Sequence, residues 1–337
     1  AQLASTHAFA QLYDRMRLKL REGRVGVPRE VPYVFSFNKW STNLPGSTYY
    51  VPICDLSSMY INVLLSAFDE QMGFFILDER NSFKPAGIAR FGRSRGGRLN
   101  DDLEQNRVMT VGALETVIVE FMLAEQAFMV HNLSLMEQAM GLGGWTHFAT
   151  ATETAWLEAL GFQTGTQRLS QIMNAGFLQR ALLRLLGRDQ SFPHGLGLRS
   201  GGEDVIKPYC PPYFRTMEEA VLAYVQFKRN NAFHAQLAPH FAGSWKEPAA
   251  VQGKIPAFSE ECIAATIDYC TYLYQTYGRF PSHYGPTRTT LAHQAHHLDL
   301  EFYDKFYHRG AYTRTQQQHF ARWHGSACRS SDASNST

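Results

Sequence analysis

The 337-residue chain has no run of 18 or more apolar residues, and residues 1–14 show no basic region leading into an apolar one. No membrane-spanning helix and no secretory leader is therefore expected. Cysteine is scarce and scattered: Cys54, Cys210, Cys262, Cys270 and Cys328 are odd in number and contain no C-x-x-C pair. That argues against a disulfide framework or a zinc knuckle and fits a reducing cytoplasm. An excess of one charge is missing too. Lys and Arg total 32 against 30 Asp and Glu, a net +2, so neither nucleic acid nor a membrane is an expected partner. No G-x-x-x-x-G-K-[ST] loop, H-E-x-x-H helix or G-x-S-x-G elbow occurs, which leaves P-loop, zincin and serine-elbow chemistry without local support. The glycines of residues 195–201 are misplaced for a dinucleotide fingerprint.

What is present is a core-forming chain, 45% hydrophobic and 13% aromatic. Leu3, Phe9, Leu12, Met16 and Leu20 recur at helical steps among arginines, which predicts an amphipathic docking helix within residues 1–34. Residues 43–47 (Asn-Leu-Pro-Gly-Ser) predict a turn, and residues 59–65 and 73–77 two neighbouring strands. From 114 to 140, Ile118, Phe121, Met122, Phe128, Met129, Leu133, Met136 and Met140 predict one long helix with a wide buried face, stopped by Gly141-Leu142-Gly143-Gly144. The formal sequon at Asn132 falls on this helix and is read as a chance match. Further helices are predicted over 152–160, 167–186, 216–228, 259–277 and 289–307. Thr216 and Glu219 are spaced as a capping box, and Ser259 stands as N-cap with Gly278 beyond the end. Residues 192–212 are expected to be loop. The chain reads as α+β, strand-rich before residue 90 and helical after it.

The segment 129–144 resembles the long core helix of the FMN-dependent nitroreductase superfamily. There, an amide-bearing helix ends at a glycine turn near the flavin; here His131 stands for the usual Gln and Glu137 for the usual Ala. Residues 60–65 and 73–78 are similar to the strand pair preceding that helix, so the resemblance covers about residues 35–150. It implies a central, mostly antiparallel sheet flanked by helices, nitroreductase-like, with a helix-rich C-terminal extension. The corresponding division is a docking helix (1–34), a core (35–230), the extension (231–325) and a disordered tail (326–337). It also implies FMN as cofactor, hydride transfer to a small-molecule substrate, and a homodimer. Candidate cofactor residues are Lys39 and Ser41, at the place of the family's basic opening motif, with Arg93 and Arg95 in a Gly-rich loop suited to an anion. Asn132 and the backbone of Gly141, Gly143 and Gly144 would meet the ring. No catalytic side chain is assigned.

Two competing readings use other residues. His293 and His297, four apart on the predicted 289–307 helix, share a face and could chelate a metal. Asp299, His283 or the carboxylates Glu120, Glu125 and Glu137 could supply further ligands. Alternatively the chain keeps the fold without catalysis, as an interaction protein. Cys210, in the stiff segment 207–213, is read as a small buried thiol rather than a nucleophile.

Overall fold

The computed structural model describes residues 11, 14, 17–23, 26, 34–39, 41–148, 160–173, 175–206, 214–231, 246–255, 257–284, 291–308 and 311–324. Most of the expected N-terminal helix, most of the 152–160 helix, Cys210 and the C-terminal tail lie outside them. The chain forms two compact units whose stretches interleave. The first takes Ala1–Leu20, Asp55–Glu120 and Phe162–Pro286, and the second Arg21–Cys54, Phe121–Gly161 and Thr287–Thr337. Helix and strand are mixed, as an α+β chain requires. In place of one central sheet, the described residues hold three three-stranded sheets.

In the first unit, residues 59–65 are helical and not a strand: they belong to the helix Leu56–Ala67. Asp55 caps it, its carboxylate accepting from the Ser58 amide at 2.9 Å. Tyr60, Ile61, Leu64 and Leu65 then share one face and are fully buried. Burying each is worth about 1.5–3 kcal/mol, more than the roughly 1 kcal/mol span of β propensity that favours a strand here. Strand β2 (Phe75–Asp78) does form. It pairs antiparallel with β3 (Lys84–Pro85) and parallel with β4 (Val108–Thr110).

The helices Met217–Asn231 and Glu260–Tyr277 complete this core. Thr216 and Ser259 cap them as the sequence predicts: their hydroxyls accept from the Glu219 and Cys262 amides, each at 3.2 Å. Gly278 follows in the left-handed conformation. Fully buried Asp78, at the end of β2, accepts from the hydroxyls of Tyr272 (2.8 Å) and Tyr277 (2.5 Å), tying the sheet to the last helix. Burial also pushes the Cys262 thiol up to about 12, which leaves it unreactive.

Two expectations for residues 160–206 are corrected. Within 167–186 the chain is still extended at first, in β6 (Phe162–Arg168), before the short helices Leu169–Ile172 and Phe177–Leu185. Residues 192–212 are not simply loop, because β7 (Ser191–Ser200) and β8 (Glu203–Ile206) continue the β6 sheet antiparallel. Glycine and proline suggest a loop there, yet bulged pairing accommodates them.

In the second unit, β1 (Thr48–Tyr50) and β5 (Gly143–Phe148) flank β9 (Leu291–His296), both antiparallel to it. Residues 289–307 are therefore not one helix: a central strand precedes the short helix Leu300–Phe306. The long helix exists as Val111–Met140, its residues up to Glu120 counted with the first unit and the rest with the second, but its wide buried face does not persist. Leu114, Ile118, Met122 and Val130 are buried, whereas Phe121, Phe128, Met136 and Met140 are exposed.

Gly87 (φ +77°) in the first unit sits where a Cβ would lie 2.5 Å from Tyr272 Cβ and 2.7 Å from the Asp268 carbonyl. Gly96 (φ +86°) has the same backbone need but open space around it. Gly87→Ala should cost about 3 kcal/mol or more, and Gly96→Ala about 1–2 kcal/mol, read as unfolding free energies in denaturant titrations.

Candidate functional site

The long helix, of which Phe121–Met140 belongs to the second unit, ends at Gly141 (φ +74°). A later helix, Arg314–Trp323, docks on this end: Thr315 Oγ1 donates at 3.0 Å to the Gln138 carbonyl, which also accepts from the Gly141 amide, and Gln316 Nε2 donates to the Leu142 carbonyl at 3.5 Å. The contact is close. A Cβ on Gly141 would strike the Thr315 carbonyl and lie 2.7 Å from His319 Cβ, and one on Gly143 would lie 2.6 Å from Leu298 Cδ2. A Cβ on Gly144 would strike Glu137 Oε2. The close approach that these glycines permit is thus made by the chain's own groups.

With that turn in place, Glu137 reaches the fully buried His293 on β9, Oε2 to Nε2 at 2.8 Å. Nδ1 lies 2.7 Å from the hydroxyl of Thr146, the residue opposite His293 in the β5–β9 register. The next residue, Gln294, points the other way, as strand alternation requires, and is equally buried. Its amide nitrogen donates to the Ser41 carbonyl at 2.9 Å, and its oxygen accepts from the Asn43 amide (2.9 Å) and the Tyr49 hydroxyl.

Just past β9, three imidazoles converge. His297 Nδ1 lies 3.0 Å from Nε2 of His319, in the helix Arg314–Trp323, and 3.2 Å from Nε2 of His324, that helix's C-cap. One ligand atom from each lies within 4.8 Å of the other two. A ring nitrogen makes a single linear hydrogen bond, as donor or as acceptor, so Nδ1 of His297 cannot fully satisfy both neighbours. Two nitrogens at about 2.0–2.1 Å from a tetrahedral zinc stand about 3.3 Å apart, near the spacing seen here. Burial, then His324 and His319, hold the His297 imidazole below its ordinary value, favouring the neutral ring with a free lone pair. His297 is exposed and the other two are half-buried, so water reaches the cluster.

The structure separates several residues that the sequence grouped. His293 and His297 do not share one ligand set, since a strand turns His293 inward to Glu137. Asp299 caps the helix Leu300–Phe306, accepting from the Phe302 amide at 3.1 Å, while Glu120 and Glu125 are exposed on the long helix. Asn132 is also exposed, and so is Lys39, at the end of a short turn. Ser41 is buried, its hydroxyl donating to the Asn38 carbonyl at 3.2 Å. Lys39, Ser41, Asn132, Gly141, Gly143 and Gly144 fall in the second unit, Arg93 and Arg95 in the first. Those two arginines lie on an exposed turn that Ser94 and Asp101 pin together. His319 and His324 escaped notice in the sequence, although H-x-x-x-x-H at a helix end was a usable signal.

The first unit has its own buried polar centre, around His283. Glu115, 1% exposed, accepts from the Ser282 amide (2.7 Å), the Ser282 hydroxyl (2.8 Å) and the His283 amide (2.6 Å). The His283 ring stands between two carboxylates, Nδ1 at 3.4 Å from Glu115 and Nε2 at 2.9 Å from Glu79. Burial alone would raise the Glu115 carboxyl, but hydrogen bonds from His283 and Ser282 outweigh it and hold the group below its usual range. Compared with known proteins, the chain matches no family model, no curated protein and no solved structure.

A carboxylate held low in the folded state stabilises it fully above the unfolded value and loses that contribution as pH falls through the folded one. Glu115→Gln should therefore cost about 3 kcal/mol near neutral pH. Its stability should also fall less between about pH 5 and pH 3 than that of the wild type, in urea titrations across that range.

Proposed function

We propose that this chain is a metal-dependent enzyme in which His297, His319 and His324 hold a divalent ion of the zinc class. The observation that carries this reading is the convergence of three imidazole nitrogens, two of them 3.0 and 3.2 Å from the third. Three imidazoles are a ligand set that suits a divalent ion of the zinc class. An ion held there by His297, His319 and His324 would supply Lewis-acid chemistry toward a small-molecule substrate, for which metal-assisted hydrolysis is the expected reaction class.

The protein's part is positioning. The end of β9 places His297, and the glycine turn seats the helix bearing His319 and His324 beside it. Buried Glu137 and Thr146 brace His293 and so hold β9 against the long helix. An equilibrium competition with a chromophoric chelator should show one zinc per chain. His319→Ala should weaken it by about 100-fold or more, beyond the loss of an outer-shell partner, and the exposed His131→Ala should leave it unchanged. Absence of stoichiometric zinc, or binding indifferent to His319→Ala, would refute the site.

A second reading is FMN-dependent hydride transfer between a reduced nicotinamide or other donor and a small acceptor, in a cytoplasmic, nitroreductase-like homodimer. What favours it is the long helix ending at Gly141 and the turn that follows, as the resemblance implies. It requires a flavin to find room beside a turn already occupied by Thr315, His319, Leu298 and Glu137. Freshly purified protein would then be yellow, and colourless protein that takes up no added FMN would exclude it.

A further inference from the structure

The nine-residue helix Phe177–Leu185 in the first unit is built unlike the core helices around it. Phe177, Leu178, Leu182 and Leu185 are 84, 80, 54 and 83% exposed, and Leu186, which ends the helix, is 60% exposed. At 100° per residue these side chains fall within one half of the helix circumference. A globular helix normally turns such a face to the core. Here it faces water. The other distinctive residues are cationic: Arg180, Arg184 and, just beyond the helix, Arg188, all exposed. On the helical wheel, Arg180 and Arg184 lie together on the flank of the apolar half next to Phe177. Residues 177–188 contain no acid. Asp189, which follows, has a buried side chain: one carboxylate oxygen accepts from the Ser170 amide at 2.9 Å and the other pairs with Arg184 at 3.4 Å. Arg180 donates to the Ala175 carbonyl at 3.2 Å. The segment keeps an excess of two positive charges over residues 177–189.

We infer that this helix is a docking element for an anionic lipid surface, lying in the interface with its apolar half among the acyl chains. Charge complementarity selects this occupant. Guanidinium groups beside an apolar half match lipid phosphates and carboxylates, which they bind through paired hydrogen bonds. A second copy related by a two-fold axis would bring identical arginines towards one another, an unfavourable arrangement. The pattern is that of a surface-lying amphipathic helix, with basic residues on the polar side and Phe and Leu on the other. No described helix is long and apolar enough to cross a bilayer, so the contact is peripheral. The whole-chain charge of +2, from which no membrane partner is expected, averages this local arrangement away. None of this depends on the histidine cluster.

The test is co-sedimentation of the full chain with vesicles of neutral phosphatidylcholine, with and without about one third phosphatidylserine. Binding should require phosphatidylserine and weaken with salt. Leu178→Asp with Leu185→Asp, both at exposed positions, should abolish it while leaving the circular dichroism spectrum unchanged. Arg180→Gln with Arg188→Gln should weaken it by about 30-fold, from the electrostatic worth of two cations near a charged surface. The inference is overturned if the wild type stays in the supernatant, or if the Leu178→Asp/Leu185→Asp protein binds as the wild type does. It is also overturned if sedimentation velocity shows that those substitutions dissolve a homodimer while vesicle binding is unaffected.

Discussion

A carboxylate removed from water must be given partners, and two such groups on the helix Val111–Met140 organise their surroundings. Glu115 collects two backbone amides and a hydroxyl from residues 282 and 283, so a segment distant in sequence is held against the first unit's core. Glu137 takes the ring of His293 with one oxygen, the other having no hydrogen-bond partner, and so ties the long helix to the central strand of the second unit. In each unit the alternative is a buried unpaired charge, which costs several kcal/mol.

The second unit shows how such a constraint spreads to chemistry. Gly144 leaves room for the Glu137 carboxylate, and Gly141 leaves room for the helix Arg314–Trp323. His293 faces Glu137 and Gln294 bonds to Ser41, Asn43 and Tyr49, which sets the register of the strand from whose end His297 emerges. The helix docked on the Gln138 and Leu142 carbonyls brings His319 and His324 to it. Three imidazoles are thus gathered from two elements, neither of which holds more than two of them.

Some of this was legible beforehand. Ser259, Thr216 and Gly278 marked helix ends correctly because capping is a local hydrogen-bond preference, and the turn at Asn43–Gly46 followed from local backbone geometry. Elsewhere the signals competed. Residues 59–65 favour a strand by side-chain type and a helix by the spacing of Tyr60, Ile61, Leu64 and Leu65, and the burial partners decided in favour of spacing. Residues 291–296 show no apolar alternation, since buried His293 and Gln294 look like solvent-facing polar residues until their partners are known. The same blindness paired His293 with His297: four residues apart is one face of a helix, but in a strand that ends between them it is not.

The sequence alone determined the helix caps, the glycine stop after Met140, the mixed α+β character and the lack, among the described residues, of a helix long and apolar enough to cross a membrane, all of which depend on residues near one another. Only the tertiary structure decided which histidines meet, which glycines are needed for contact, and that the apolar half of Phe177–Leu185 stays in water. Those outcomes depend on what lies across the chain, where burial and hydrogen-bond satisfaction, rather than local propensity, set the free energy.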